Sequence, residues 1–279
     1  MTRVTATPPS AYTIVRHPFD GSPETTVYAA NAVPGGVVAD STNVYFADTA
    51  AGTHTIYVKA HGAAPADPPS VLFTTTEFAG HLALRDQVLY WHGGRLAAGH
   101  AWSRAIVGGT ETNLTPAFTE NLVASLAVTS TTIYWSTFSA TAPLRSIPIA
   151  GGTPVLIPNA LVATSGNVAH HLIATDSHAY WFRRGGSPAE NGIDRHGPDG
   201  VEVVLAGGRT ASIAIDSDDL YYVDQTTVPA KLFRIPVSGG VPQLIASPVR
   251  AGEVVASDGT FLYGIEGPVS GGMMHRYVR

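Results

Sequence analysis

The side chains in this chain that could carry out chemistry are histidines and carboxylates. Its 279 residues include 11 His and 21 Asp or Glu but no Cys, which excludes disulfides, thiolate metal sites and a cysteine nucleophile. Imidazole and carboxylate groups bind divalent ions such as zinc or calcium, and we expect His81, His171 and Glu253 to provide such ligands. Histidine titrates near neutral pH, so His92 is a candidate proton-transfer group, with Glu266 as a second one. These five residues lie far apart in the sequence and can act together only if the fold brings them to one place.

An internal repeat predicts the elements that would position them. A strand rich in aromatic residues occurs six times, and its tyrosines are separated by 45, 44, 46, 41 and 42 residues (Tyr45, Tyr90, Tyr134, Tyr180, Tyr221 and Tyr263). A second apolar run precedes each tyrosine by about eight residues, and the short Asp- and Ser-containing stretches between the two runs are typical of turns. Each pair of runs therefore predicts a β-hairpin, whose strands we call A and B.

Two further strands follow each hairpin. Strand C carries Arg or Lys, a Gly-Gly pair often follows it, and strand D is a short apolar run, as in residues 144–157 and 232–245. Four antiparallel strands in a period of about 44 residues are typical of a β-propeller blade, so the predicted fold class is all-β. Six hairpins predict six four-stranded blades in one domain covering residues 1–279, of which residues 1–11 are expected to be a flexible N-terminal segment.

The side chains that recur along these strands have a structural interpretation. The paired aromatic residues of strand B face both sides of a blade, so we expect them to be core residues between blades. The recurring arginine of strand C is expected to pair with acidic turns at a blade edge and is assigned no chemistry (Arg104, Arg145, Arg195, Arg234 and Arg276).

The two ends of the chain indicate how the ring closes. The last repeat ends with strand C at residues 274–278 and has no strand D. Residues 21–28 match the C-to-D turn and strand D of the other repeats, so we expect the N-terminal strand to complete the last blade and remove its open edge. Residues 13–18 look like one more strand C, which leaves a seven-bladed ring as the alternative.

Two motifs connect the repeats to a known fold family. Residues 40–46 and 216–222 contain D-S-x-x-(V/L)-Y followed by an aromatic residue, and residues 147–152 and 235–240 contain I-P-x-x-G-G. This pattern runs from about residue 12 to 279. It resembles the TolB-like and NHL-like six-bladed β-propellers, in particular repeat proteins that bacteria secrete or display on the cell surface. The resemblance implies the fold but selects no activity, because this scaffold carries binding modules, lactonases, lyases and condensing enzymes.

In such a ring the start of strand A and the end of strand B lie on the same face. His81, His171 and Glu253 lie at the start of strand A in blades two, four and six, so we expect them to converge on the channel as metal ligands with one open position. His92 and Glu266 lie at the end of strand B on that face. Six of the eleven histidines fall there (His54, His81, His92, His100, His170 and His171). The alternative is that all of these are ordinary polar loop residues.

The predicted metal ligands are also similar to those of the amidating lyases of peptidylglycine processing. Those six-bladed enzymes hold a metal with channel histidines. Only His81 and His171 match that pattern here, and Glu253 stands in the place of a third histidine.

Composition and motifs exclude several partners. A net charge of −5 and a pI near 6.1 argue against nucleic acid and anionic lipid. No apolar run reaches the roughly 18 residues of a membrane span, so membrane insertion is not expected. No nucleotide-binding loop, zincin motif or serine-hydrolase elbow is present.

Two classes of function remain. The first is a monomeric binding propeller that recognises a protein, peptide, glycan or small-molecule ligand with its D–A and B–C loops. The B–C loops favour it because they differ in length and chemistry between repeats (residues 47–54, 92–101, 136–143 and 183–191). The second is a metal-dependent lyase or hydrolase with its ion at the mouth of the channel. We expect a secreted or cell-surface protein whose signal has been removed, or a cytoplasmic one.

Overall fold

The computed structural model describes most of the chain. The described residues are 2–7, 11–16, 25–30, 37–48, 54–64, 66–77, 79, 81–93, 99–117, 123–137, 144–157, 168–184, 191–207, 210–216, 218–224, 226, 230–249, 252–257, 261–266 and 274–278. Side chains are described only between residues 38 and 247, with further gaps inside this range. All statements below refer to these residues.

The described residues form 26 β-strands and no helix, which confirms the all-β prediction. None of them therefore belongs to a helix long and apolar enough to cross a membrane. The strands are β1 (Thr2–Thr7), β2 (Ala11–Arg16), β3 (Thr25–Ala30), β4 (Val37–Ala39), β5 (Asn43–Asp48), β6 (His54–Ala60), β7 (Ser70–Thr75), β8 (His81–Arg85), β9 (Val88–His92), β10 (Ala101–Ala105), β11 (Thr112–Asn113), β12 (Val123–Val128), β13 (Thr132–Thr137), β14 (Leu144–Pro148), β15 (Val155–Leu156), β16 (Val168–Ala174), β17 (Ala179–Arg184), β18 (Gly192–Gly197), β19 (Gly200–Ala206), β20 (Thr210–Asp216), β21 (Asp219–Asp224), β22 (Ala230–Pro236), β23 (Gln243–Val249), β24 (Gly252–Ser257), β25 (Phe261–Glu266) and β26 (Met274–Val278).

Consecutive strands pair into sheets, as the four-strand repeat predicts. Five sheets have four strands in chain order, namely β4–β7, β8–β11, β12–β15, β16–β19 and β20–β23, and two sheets have three strands, β1–β3 and β24–β26. The first hairpin, β4 with β5, and the third and fourth strands, β6 with β7, are antiparallel neighbours, and the second pair has a register shift between Ile56 and Tyr57. Each four-stranded sheet therefore corresponds to strands A, B, C and D of one repeat.

The N-terminal strands differ from the predicted closure. Strand β3 overlaps residues 21–28, which were expected to complete the last sheet, but it pairs with β2 in a separate sheet. The expectation that this strand supplies a fourth strand to β24–β26 is wrong in the described pairing. A short connection between β2 and β3 makes their antiparallel pairing the closure with the lower entropy cost. Residues 21–24 lie outside the described part.

The extra strand noted at residues 13–18 is largely β2, which lies in the middle of the N-terminal sheet. The described strands thus form seven sheets, the number that the seven-bladed alternative requires, and the blade count stays a prediction. Residues 1–11, expected to be flexible, include β1.

The chain divides into two compact units. The first unit comprises residues 1–128 and 147–154, and the second comprises residues 129–146 and 155–279. In the first unit the core joins two sheets, because Phe73 of β7 packs against Trp91 of β9 with ring centroids 5.9 Å apart. In the second unit Tyr180 and Tyr222, from neighbouring sheets, share one buried cluster. The single-domain interpretation stays a prediction.

The repeated sequence motifs have clear structural roles. Trp91, Trp135 and Trp181 are fully buried, which confirms that the paired aromatic residues of strand B are core. The Gly-Gly pairs after strand C need glycine because their backbone is left-handed: φ is 88° and 137° at Gly151 and Gly152, with closely similar values at residues 239 and 240.

Candidate functional site

One end of the strands, where A–B and C–D turns lie, is occupied by turn-stabilising hydrogen bonds. In the first unit, Asp40 accepts hydrogen bonds from the backbone N–H of Thr42 (2.7 Å) and Asn43 (2.8 Å) and from the Tyr45 hydroxyl (2.9 Å). Burial acts to raise the pKa of Asp40, but these hydrogen bonds outweigh it and hold the pKa well below its ordinary value. His61 bonds through Nε2 to the Asp40 carbonyl at 2.8 Å. The polar groups here satisfy the turn backbone.

The second unit uses the same end in the same way. The backbone N–H and hydroxyl of Ser130 both donate to the Asp176 carbonyl, at 3.0 and 2.6 Å. The Val237 N–H donates to the Asp218 carbonyl at 2.8 Å, and the Arg195 guanidinium donates to the Val237 carbonyl at 2.9 Å. The Ser130 bonds join turns of two sheets, the Arg195 bond joins strand β18 to a turn of the next sheet, and the Val237 bond joins two turns of one sheet.

The recurring arginines of strand C make structural contacts of several kinds. Arg104 stacks over the Phe73 ring at 4.2 Å, and Arg195 donates a hydrogen bond to the Val237 carbonyl. Arg234 lies 3.5 Å from Asp219 and also donates to the Gln243 side chain. The expected pairing with an acidic residue is therefore confirmed for Arg234, while Arg276 lies outside the described side chains.

At the opposite end of the strands, two loops of the first unit are joined by a hydrogen-bonded carboxylate–imidazole pair. Glu77 follows β7 in the D–A loop, and His100 precedes β10 at the end of the B–C loop. The carboxylate of Glu77 accepts the Nδ1–H of His100 at 2.6 Å through Oε1 and the His100 backbone N–H at 2.8 Å through Oε2. Both side chains remain partly exposed, at 22%. For this pair of loops the prediction of a shared face is confirmed.

Gly93, directly after β9, leaves the space that the Glu77 carboxylate occupies. A Cβ at this position would lie 2.7 Å from the Cβ of Glu77 and closer still to its Oε2. The Gly93 N–H also donates to the His100 carbonyl at 3.0 Å. Close approach to Glu77, rather than a special backbone angle, therefore requires glycine here.

His81 and His92 face each other across two strands at this same end. His81 begins β8 and His92 ends β9, and the two residues are register partners. His92 is buried, and its Nδ1 lies 2.5 Å from the Gly93 carbonyl. Because a carbonyl can only accept, the His92 proton is on Nδ1. Burial lowers the pKa of His92 to about 4, although the Gly93 carbonyl and Glu77 act in the other direction, so the ring is neutral at pH 7.

The remaining predicted site residues lie in the second unit. His171 is within β16 and Glu253 within β24, and both fall where the A–B register shifts, between residues 170 and 173 and between residues 252 and 255. Glu266 ends β25 opposite Gly252. The side chains of these three residues lie outside the described part of the chain. Strand β20 shifts its register at the equivalent position, whereas β4 and β8 pair with their B strands without a shift.

A metal site built from three ligands stays a prediction. Among the described side chains, no group of three or more His, Asp, Glu or Cys is arranged to hold a metal ion. The side chains of His171 and Glu253 lie outside the described part, so a site made of His81, His171 and Glu253 stays a prediction.

A second ionisable pair is buried in the second unit. Nε of Arg183, at the end of β17, lies 3.0 Å from Oδ2 of Asp194 on β18. The two atoms are not aligned for a hydrogen bond, so the contact is electrostatic. Burial raises the pKa of Asp194 to about 6, and the Arg183 charge only partly offsets this. Asp194 was not predicted from the sequence, where its only signal is its position directly before the recurring Arg195.

Sequence reasoning also missed the Glu77–His100 pair. His100 was one of six histidines assigned to this face, whereas Glu77 and Gly93 carried no signal. The sequence shows the pair only through position: Glu77 lies two residues after strand D, and His100 lies one residue before strand C. The B–C loop interiors, residues 49–53, 94–98, 138–143 and 185–190, lie outside the described residues.

The chain was compared with known proteins. No family model matches it, and no curated protein matches it in sequence. Solved structures do match: TolB from Acinetobacter baumannii superposes with a TM-score of 0.59 at 11% identity, covering 88% of this chain and 63% of TolB. This chain thus spans less than two thirds of TolB. The WD40 β-propeller domain of Doa1 has a TM-score of 0.61 at 13% identity, covering 99% of this chain and 88% of that domain.

A third similar structure is that of the nidogen/laminin complex. It has a TM-score of 0.53 at 13% identity and covers 88% of this chain and 94% of the matched chain. Identities this low establish the fold alone. Together with the four-stranded antiparallel sheets, they show that the chain has the fold of a TolB-like β-propeller.

Proposed function

We propose that the protein is a recognition module that binds a polypeptide ligand with its D–A and B–C loops. The observation that carries this proposal is the Glu77–His100 pair, which fixes two loops to each other while leaving both side chains partly exposed. Preorganised polar groups lower the entropy cost of binding. A peptide backbone and its charged side chains offer the donors and acceptors that a carboxylate–imidazole pair can engage.

The contrast between the two ends of the strands supports the choice of face. At the A–B end, Asp40, His61 and Ser130 use their polar atoms on turn backbone. At the D–A end, the imidazole of His100 is oriented by a side chain and keeps exposed surface. Loops on a rigid sheet scaffold commonly carry recognition. The nidogen/laminin complex is an instance of a similar fold in a two-protein assembly.

Peptide selection tests this proposal directly. Random peptides displayed on phage are selected on the purified chain, and enriched peptides are titrated against wild type, His100→Ala and Val107→Ser. Val107 is an exposed turn residue at the other end of β10 and serves as the matched control. We expect Kd to rise about tenfold or more for His100→Ala, about 1.4 kcal/mol, and to stay within about twofold for the control. Failure to enrich any peptide, or equal effects of both variants, would reject the proposal.

A metal-dependent lyase or hydrolase is the second candidate function. Two observations favour it: His171 and Glu253 occupy equivalent register shifts in their sheets, and His92 is neutral at pH 7, the state that a metal ligand or a base requires. His81, His171 and Glu253 would hold the ion, and His92 or Glu266 would move the proton. The ion itself would supply an acidic water.

Metal analysis separates the two candidates. We expect an enzyme of this kind to hold about one divalent ion per chain, and His81→Ala and His171→Ala each to release it. His178→Ala, a partly exposed histidine beside an A–B turn, is the control. A chain that contains no stoichiometric ion and melts at the same temperature with and without chelator has no such centre.

A further inference from the structure

We propose that His100, oriented by Glu77, is a general base for the hydrolysis of acyl bonds, with activated esters as the simplest substrates. This activity goes beyond ligand recognition and uses neither the predicted metal ligands nor His92. It rests on three features of the first unit: the oriented ring, the fixed carboxylate and the exposed face of the imidazole.

The ring of His100 has a defined tautomer. Because the Glu77 carboxylate accepts at Nδ1 with a distance of 2.6 Å, that nitrogen carries a proton. The lone pair of the neutral ring is then on Nε2. Within the described residues no group bonds to Nε2, and it is not among the buried polar atoms that lack a partner. A substrate or water molecule can therefore reach it.

The carboxylate that orients the ring is itself held in place. Its second oxygen accepts the His100 backbone N–H at 2.8 Å. The Glu77 backbone carbonyl accepts the Thr75 hydroxyl at 2.7 Å, and Gly93 leaves room for the carboxylate. On the other side, the Ala101 N–H following His100 donates to the Thr115 hydroxyl at 2.9 Å. A base whose position is fixed before substrate binds needs little reorganisation in the reaction.

Other histidines of the described part are held by different partners. His61 bonds to a turn carbonyl and His196 to the Tyr134 hydroxyl at 3.0 Å. His178 bonds to the Ser177 hydroxyl at 2.7 Å. The bond from the His100 backbone N–H to Glu77 is enough to join the two loops. The second bond, from Nδ1–H to Glu77, also fixes the orientation of the ring. An imidazole oriented by a carboxylate is the base arrangement used in acyl transfer.

The reaction needs only water as co-reactant. His100 Nε2 takes a proton from a water molecule as the water oxygen bonds to the acyl carbon. The C–O bond to the leaving group then breaks, and the leaving oxygen receives the proton from Nε2. The products are a carboxylic acid and an alcohol or phenol, and the imidazole returns to its starting state.

Chemical acylation tests the basicity of His100 without any variant at that residue. The intact chain is treated with diethyl pyrocarbonate, which acylates the lone-pair nitrogen of neutral imidazole, and the rate at each histidine is read by peptide mass spectrometry. We expect His100 to react about tenfold faster than His178, which is also partly exposed but bonds to a neutral hydroxyl. Glu77→Gln should slow His100 at least about fivefold and leave His178 unchanged, at an unaltered melting temperature.

Turnover of 4-nitrophenyl acetate tests the hydrolysis. We expect multiple turnovers by wild type, a loss of at least about tenfold in kcat/KM for His100→Gln, and a change below about twofold for His178→Gln. Equal acylation rates at the two histidines would overturn the proposal, even if His100→Gln fails to fold. So would an unaffected His100 rate in Glu77→Gln, or full ester hydrolysis by a folded His100→Gln chain.

Discussion

Replacing Gly93 with alanine tests whether this glycine creates the space for the Glu77 carboxylate. The new Cβ would lie 2.7 Å from the Glu77 Cβ and 3.1 Å from its Cδ, so Glu77 must move and release His100. Overpacking of this kind costs about 1–3 kcal/mol. Loss of the two hydrogen bonds to the carboxylate adds to this cost, but their contribution to stability is reduced because both side chains are partly exposed to solvent.

The backbone contributes with the opposite sign. Gly93 is not among the residues with positive φ, so alanine is not strained there and loses less entropy on folding, which offsets about 0.4–1 kcal/mol. We therefore expect a net destabilisation of about 2 kcal/mol. For a chain of this size that corresponds to a fall in Tm of about 4–8 °C.

Urea unfolding and calorimetry measure this difference, with Gly62→Ala as the matched control. Gly62 follows β6 in the same unit, and a Cβ there would meet nothing within 4 Å. We expect that variant to stay within about 0.5 kcal/mol of wild type. The cost of Gly93→Ala should disappear in a Glu77→Gly background, because the clash partner is then absent. Equal stability of the two alanine variants, or the same cost in both backgrounds, would refute the reasoning.

Two further predictions concern buried side chains. The pKa of Asp194 is raised to about 6 in the folded chain, so its contribution to stability is complete below pH 4 and is lost as pH rises through 6. Between pH 4.5 and 7.5 the unfolding free energy of wild type should fall by the contribution of Asp194, and Asp194→Asn should remove this part of the pH dependence. An unchanged pH dependence in the variant would exclude a raised pKa at Asp194. Trp91→Ala should cost about 3–5 kcal/mol by urea unfolding because Trp91 is fully buried against Phe73. Val241→Ser, on an exposed turn, should cost less than about 0.5 kcal/mol, and similar losses in both variants would contradict the assigned core.

The strands of the repeat could be predicted because their signals are local. The aromatic pair of strand B and the Gly-Gly turn each identify an element without knowledge of the rest of the chain, and Trp181 and Gly151 both occupy the expected positions. The pairing of β3 could not be predicted in this way. The apolar pattern of a strand indicates which of its faces is buried, but it does not identify the neighbouring strand with which it pairs. Strand β3 pairs with the preceding strand, β2.

The candidate site follows the same division. The register of β8 and β9 places His81 opposite His92. This pairing follows directly from the predicted hairpin. The contact between Glu77 and His100 joins loops 23 residues apart, and it depends on the absence of a side chain at Gly93. No periodicity records such a contact, since it arises from two sheets packing side by side.

In this chain, the hydrogen-bond partners of a histidine distinguish a structural residue from a candidate functional one better than its position does. His61 gives its Nε2 to a turn carbonyl, so replacing it removes a bond that the turn needs. The Nδ1–H of His100 donates a hydrogen bond to a carboxylate that also accepts the His100 backbone N–H, so the loop keeps one of its two bonds to Glu77 if the ring is removed. We therefore expect substitutions of these two residues to have different effects. Substitution of His61 should lower stability, whereas substitution of His100 should change what the loop end binds or hydrolyses while the fold persists.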